Sequence, residues 1–551
     1  MKRSVTAPQA EKTLACARGT APTQMKKAQS EQDEQSGFAR RAAWLTAANT
    51  IAFGLSFIAP LLLVRMLSQT EFGVYKQVFQ ILMSATSALN LQVASTAYYF
   101  MPRAPEKRLQ VLINVLAFYS AAGALVAALF IFYPECALLV FESGGLPAYM
   151  PLLGVTILLW LVSSNLEVVP MALGDVRTSS AFIVISQLTK SALTVSAALA
   201  FHSVRAMIWA AAIQGILQIL FMFAYIHRRF GRRSRRTWKI QEAFDLELFK
   251  AQIGNALPYG LGGFAQTTQG DLHSYMVSRY FPPAGFAVYS AGLFQLPLLG
   301  LLTASFSGAL IPEVSRLAAA GERRAIIPIW LNAVRKLALV VVPACALMFV
   351  LRREIITLLF TSAYSEAAPL FGIYLFSALL PMTLTGSPIR AHEEFKFFRL
   401  KLHLALLPVT FGALYAGIHA AGLIGAVVAL VALQTLEAAI VVAAVGRRLG
   451  FMAGDLRHLA PALKTVLATG AAALAAFTVK LPLAHAGAPV RLVICGAAFG
   501  PVYAFAAYAL GALTVAEKAE IRAMLSRSLS RLLSQWIRAR QRFGATGATI
   551  D

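Results

Sequence analysis

The sequence predicts an all-α polytopic membrane protein of about fourteen transmembrane helices, built as two parallel six-helix repeats followed by a C-terminal helix pair. Three observations predict it. Hydrophobic residues make up 58% of the 551 and charged residues only 13%, at a mean hydropathy of +0.65, whereas a soluble domain carries about 25% charged residues. The Lys and Arg behind a net charge of +24 fall in the segments between apolar runs, the pattern of the positive-inside rule and not of a nucleic-acid-binding face. A short motif, VRMLSQTEFGVY, ending at Tyr75, also returns as SRYFPPAGFAVY, ending at Tyr289.

A helix needs about twenty apolar residues to cross the ~30 Å hydrocarbon layer. Such runs lie at 44–64, 78–99, 111–133, 150–173, 181–201, 206–226, 253–281, 287–311, 330–351, 367–387, 403–419, 422–445, 460–479 and 492–513. The run at 253–281 is the most polar. Residues 1–36 are polar, with no apolar stretch of signal-peptide length, and predict a disordered cytoplasmic tail. A basic linker at 230–252 then joins a first six-helix lobe, 37–229, to a second, 253–446, and 459–513 holds the extra pair. In the tail at 514–551, Ile521, Leu525, Leu529 and Leu532 share one face of a helix rich in Arg. This predicts a basic amphipathic helix lying on the anionic cytoplasmic leaflet, with a partner-binding helix as the competing reading.

The loops orient the chain. Counted with the adjoining ends of the runs, those after even-numbered runs hold twenty-five Lys and Arg, and those after odd-numbered runs hold eight. Both termini and the basic loops are therefore expected in the cytoplasm. Cys16, Cys136, Cys345 and Cys495 have spacings that suit neither a metal site nor a disulfide framework.

Arg65, Phe72, Val74 and Tyr75 match Arg279, Phe286, Val288 and Tyr289 at a constant offset of 214. Interfacial anchoring by Arg, Phe and Tyr would explain each set alone. The equal lengths of the two blocks favour duplication. Six is even, so both blocks enter the membrane from the same side, as parallel repeats with a substrate site expected at their interface near mid-membrane.

These residues also resemble a known family. RMLSQTEFGVY with a second run ending in YYFMPR, then GDLHSYMVSRYFPPAGFAVYSAG, GALIPEVSRL and LLFTSAYSEAAPLF, are similar to Wzx-type polysaccharide flippases of the MATE-like exporter superfamily, over residues 37–446. The last two runs exceed the twelve common there and are similar to fourteen-helix members such as the lipid II flippases. The resemblance implies a MATE-like flippase fold, no enzyme activity and no cofactor. It implies a substrate too: an oligosaccharide on undecaprenyl pyrophosphate, carried from the inner to the outer leaflet of the bacterial inner membrane. The product would feed O-antigen, capsule or exopolysaccharide synthesis. The partners implied are the lipid-linked oligosaccharide, membrane lipids, and a polysaccharide polymerase with its chain-length machinery, with no nucleic acid.

Two alternatives belong to other classes. A MATE-like multidrug exporter would call for acidic cavity residues. A polysaccharide polymerase or ligase would call for carboxylates and histidines in a sizeable outer loop, but the longest, 134–149, has no His and only Glu135 and Glu142. Neither GxxxxGK[ST] nor HExxH occurs.

Ionisable residues inside apolar runs cost about 2.5–3.5 kcal/mol at a helix centre and mark functional candidates. Lys190, tenth in the run 181–201, is read either as a cavity cation for an anionic headgroup or as the partner of Glu167 on the preceding helix. Asp271, with Gln266, Gln269 and His273, forms a polar cluster in the run 253–281, read as a coupling-ion site or as a contact between lobes. Arg65 and Arg279 are snorkelling anchors or a symmetric outer cationic gate for the substrate. Glu437 is read as a bundle-facing structural charge whose partner the sequence does not identify. No metal site is expected.

Overall fold

The computed structural model describes residues 44–139, 141, 145–230, 244–295, 297–390, 397–514 and 517–519. The expected disordered tail, most of the basic linker and the C-terminal amphipathic helix lie outside the described residues. Among those described, every regular element is helical. The chain divides into two units: Met1–Glu71 with Val78–Thr267, and Phe72–Gln77 with Thr268–Asp551.

The first unit holds α1 (Trp44–Met66), most of α2 (Gln69–Asn90), α3 (Ala97–Arg103), α4 (Arg108–Phe132), α5 (Met150–Ser163), α6 (Asn165–Ala172), α7 (Val176–Phe201) and α8 (Val204–Phe230). It also holds the first part of α9 (Leu246–Tyr280). A capping box starts α2: the Glu71 N–H donates to Ser68 Oγ at 3.2 Å, and the Ser68 N–H donates to the Glu71 carboxylate at 2.9 Å. The apolar run 78–99, expected as one helix, is broken. Leu91 and Gln92 adopt left-handed φ of 42° and 58°, a conformation costly for side chains with a Cβ. Tyr119, fully buried on α4, holds the break: its hydroxyl donates to the Asn90 carbonyl and accepts from the Ala94 N–H, both at 2.9 Å. The start of α9 is anchored by buried Gln252, which accepts from Asn114 at 2.9 Å and donates to Thr96 and to the Val111 carbonyl at 3.2 Å.

The second unit continues α9 and adds α10 (Pro283–Gly292), α11 (Pro297–Ala319), α12 (Ile326–Val350), α13 (Arg352–Phe360), α14 (Ala367–Tyr374), α15 (Gly386–Arg390), α16 (Phe398–Leu449), α17 (Ala460–Lys480) and α18 (Ala488–Ala509). The run 287–311 is divided between α10 and α11. In α16 the backbone leaves helical geometry at Ala421 and Gly422, whose φ is +58°. The two halves close so tightly beyond that turn that a Cβ on Gly425 would lie 1.8 Å from the Gly417 carbonyl oxygen. Only glycine fits there, and α16 is therefore a helical hairpin.

Among the described residues, nine helices are long and apolar enough to cross a membrane. That measure falls short of the fourteen runs, partly because the hairpin α16 counts once and the run 367–387 yields only a shorter apolar helix, Ala367–Thr383.

The repeat is visible in the elements themselves. α1 ends at Met66 and α2 begins at Gln69, while α9 ends at Tyr280 and α10 begins at Pro283, each pair 214 residues apart. The residues before α2 and α10, Ser68 and Pro282, have the same backbone, with φ/ψ of −63°/161° and −62°/161°. Phe72, Tyr75, Phe286 and Tyr289 are all buried. The motif aromatics are packing residues of a helix–turn–helix joint.

The last two helices pack through a stripe of small residues, Ala468, Ala472 and Ala476, with Cys495 and Phe499 against Leu351. Ion pairs hold this pair at two ends. Lys480 donates to Glu354 at 2.8 Å and to the Val350 carbonyl at 2.7 Å, while Arg491 reaches the other Glu354 oxygen at 3.1 Å. Arg335, 4% exposed, makes two hydrogen bonds to Glu517, at 2.5 and 3.1 Å. The hydrogen bonds from Arg335 hold the Glu517 carboxyl down at about 2.

Candidate functional site

The second half of α9 carries several polar side chains that bond other helices of the second unit. Gln269 and His273 are four residues apart and share one face of the helix. Gln269, 8% exposed, faces α16: its Oε1 lies 2.6 Å from His403 Nδ1 and its Nε2 donates to Thr410 at 3.3 Å. Gln269 and Arg399 both act on Glu437, in the other arm of the hairpin, and Arg399 acts on His403 as well. One neutral amide thus bonds a histidine and a threonine with a carboxylate nearby, an arrangement able to lock the helical segments together.

His273 faces α10. Its Nδ1 is 2.9 Å from the Tyr289 hydroxyl and 3.3 Å from Ser274 Oγ. Asp271, half-buried, is two residues from each member of the pair and so points about 200° around the helix from them. The single cluster expected from the sequence is two faces: Gln269 and His273 turn to the helices of their own unit, and Asp271 turns away. Gln266 is exposed.

In the first unit, Lys190 on α7 lies with its ammonium 4.6 Å from the centre of the Trp160 ring. Trp160 is itself pinned, its Nε1 donating to the Ala211 carbonyl on α8 at 2.9 Å. The cation is held by a fixed π-face. Among the described residues no ion pair joins Lys190 to Glu167, which is exposed on α6. Arg65 is exposed and donates to the Leu61 carbonyl in the last turn of α1 at 2.5 Å. Arg279 is exposed in the last turn of α9. Both cations thus sit at helix C-termini, where the dipole favours positive charge.

Trp160, Tyr289, His403 and Thr410 were not among the sequence candidates. Tyr289 carries a signature only as a member of the repeated motif; Trp160, His403 and Thr410 have none, and only packing gives each of the four its polar neighbour. Among the described residues no three His, Cys, Asp or Glu side chains converge as metal ligands would.

This all-helical fold defines a polytopic membrane protein. A family model described as "Lipid II flippase MurJ" matches residues 105–386, half of the chain, and the chain belongs to that family. A lipid II flippase MurJ in an inward closed conformation superposes with a TM-score of 0.66 at 14% identity, covering 84% of this chain and 97% of that one. An inward-facing multidrug resistance MATE family transporter gives 0.52 at 17% identity, over 74% and 94%. A MOP superfamily transporter from Pyrococcus furiosus gives 0.52 at 16%, over 74% and 95%. No curated protein matches the sequence. The expected family is corrected accordingly, to MurJ rather than the Wzx type. Two of the motifs behind the Wzx resemblance, RMLSQTEFGVY and the segment ending in FAVYSAG, belong to the helix–turn–helix joint, an architectural feature that does not read out the substrate.

Proposed function

We propose that the protein carries lipid II, the lipid-linked peptidoglycan precursor, from the inner to the outer leaflet by alternating access of its two lobes. The family match over residues 105–386 carries this reading. The chemistry of the candidate residues is compatible with it. A lipid pyrophosphate needs a cation held in a low-dielectric setting, and Lys190 on its tryptophan face supplies one. Arg65 and Arg279, at matched helix ends, offer further positive charge where the headgroup would leave. The α9–α16 polar face, with Gln269, His273 and Glu437, is assigned to a coupling ion, and Asp271 to the same step.

A second reading keeps the carrier lipid and changes the sugar. One of the segments that resemble polysaccharide flippases, RMLSQTEFGVY, precedes the matched residues, and an undecaprenyl pyrophosphate oligosaccharide would meet the same cations. The test is reconstitution of the full-length protein in liposomes with fluorescent lipid II. Flipping is read as loss of signal to a membrane-impermeant quencher, in parallel with an undecaprenyl pyrophosphate oligosaccharide bearing the same dye. Faster flipping of lipid II than of the oligosaccharide supports the first reading. The reverse order replaces it with the second.

A further inference from the structure

We propose that an uncharged cavity inside the second unit is a subsite for an acetamido group, the N-acetyl substituent of a hexosamine. The cavity, of about 130 Å³, opens where two helical runs break. α10 stops at Gly292 and α11 starts at Pro297; beyond α14 the chain runs as a tight turn of helix, Ser377–Thr383, that contains Pro381. Proline lacks the N–H that would continue a regular helix. Side chains from both breaks line the space between them.

Size and charge select the class of ligand. A cavity of about 150 Å³ holds one benzene molecule, so this one takes the end of a substituent and not a whole pyranose ring. Among the described residues of the wall none is charged. A phosphate or an ammonium would lose its hydration there with no opposite charge in return.

The polar groups narrow it further. Tyr374 is 8% exposed, and its hydroxyl accepts from Gln295 Nε2 at 2.7 Å. That bond engages the oxygen and leaves the Tyr374 proton to be given to an acceptor on the ligand. The other hydroxyls in the wall are committed. Thr303 donates to the Leu299 and Gly300 carbonyls at 3.1 and 2.9 Å, and Ser377 donates to Gln434 on the second arm of α16. The cavity therefore presents one oriented donor, with Gln295 as its positioning residue, beside the apolar surface of Leu299, Ala378 and Pro381. An acetamido group is the complement: its carbonyl oxygen accepts from Tyr374 and its methyl packs on the apolar wall. A few placed polar groups in an apolar pocket are what fix the orientation of a small ligand.

The part played in transport rests on the lipid II reading, since both sugars of lipid II are N-acetylated, whereas the acetamide site does not. The experiment separates them. In full-length protein in nanodiscs, saturation-transfer NMR is run with N-acetylglucosamine and with glucose. Transfer is expected to be strongest at the acetyl methyl, with glucose giving little. Tyr374→Phe keeps the ring and removes the donor, and is expected to weaken N-acetylglucosamine binding roughly three- to tenfold with no change for glucose. Gly300→Leu fills the cavity from a position where an added Cβ meets nothing within 4 Å, and is expected to abolish the methyl signal. Equal transfer to both sugars, or an acetyl signal unchanged by either variant, overturns the site. In liposomes, dye-labelled lipid II is compared with its analogue bearing free amines in place of the acetamides. Wild type is expected to flip lipid II faster, and Gly300→Leu to bring lipid II down to the rate of the analogue. A wild type that flips both at one rate overturns the role in substrate choice. A wild type that flips no lipid II overturns the function reading, while the sugar titration still decides the site.

Discussion

Gly73 and Pro283 approach so closely that a Cβ on Gly73 would lie 1.9 Å from the Pro283 carbonyl oxygen. Gly73 belongs to the first copy of the repeated motif and Pro283 to the second. The two copies therefore meet backbone to backbone, with Phe72 edge-on to Tyr364 at 6.0 Å beside them.

Gly73→Ala is expected to destabilise the protein by at least ~1–3 kcal/mol, the cost of overpacking against a backbone that cannot rotate away. Gly54→Ala, with open space around it, is the matched control and is expected within about 0.5 kcal/mol of wild type. Thermal unfolding of the two variants in detergent measures the difference. Equal melting temperatures would mean that the two backbones separate without cost.

Glu354 binds two cations of the extra helix pair. Burial pushes its carboxyl up, but the hydrogen bonds from Lys480 and Arg491 outweigh that and hold it below the usual range. Glu354→Gln is expected to cost about 2 kcal/mol, less than a fully buried pair because both cations are 23% exposed. A lowered folded pKa means the contribution is complete above the unfolded value of about 4.3 and is lost as the pH falls through the folded value. The melting difference between wild type and Glu354→Gln should therefore be full at neutral pH and shrink in acid. A difference independent of pH would contradict the ionic latch.

The expected topology places the α11–α12 turn in the cytoplasm and the α17–α18 turn outside. In a background without native cysteines, Gly321→Cys should be shielded from an impermeant thiol reagent in intact cells, and His485→Cys should react. Labelling of Gly321→Cys alone would invert the assigned orientation.

Lys190→Ala should abolish flipping at an unchanged protein level. Lys190→Arg should keep part of it, because a guanidinium also stacks on Trp160. Asp271→Asn preserves shape and removes charge, and should slow flipping if ionisation of Asp271 takes part. Full activity in both Lys190→Ala and Asp271→Asn would reject the two assignments. A lowered melting temperature with normal flipping per folded molecule would make these charges structural.

Much of the fold was legible because membrane insertion is decided locally. Run length, Lys and Arg in the loops, and a motif repeated at 214 residues are all one-dimensional signals, and α1–α2 and α9–α10 start and stop at that offset. The candidate site was legible only as a list of expensive polar residues. Lys190 stood out because a charge in an apolar run is costly, but its partner did not, since nothing in the sequence distinguishes Trp160 from other tryptophans.

The sequence by itself determined that this is a polytopic helical membrane protein with a motif repeated at 214 residues, since hydropathy and periodicity act residue by residue along the chain. Only the tertiary structure decided where helices break and which polar groups meet. The break at Leu91 depends on Tyr119, 28 positions further along the chain and supplied by another helix. The split of Asp271 from Gln269 and His273 follows from the 100° step of the helix once its neighbours are in place. The placing of Glu437 near Gln269, which itself bonds His403 and Thr410, requires α16 to fold back at Gly422. Hydrogen bonds in a medium without water are made between segments far apart in sequence, and their partners are fixed by packing geometry.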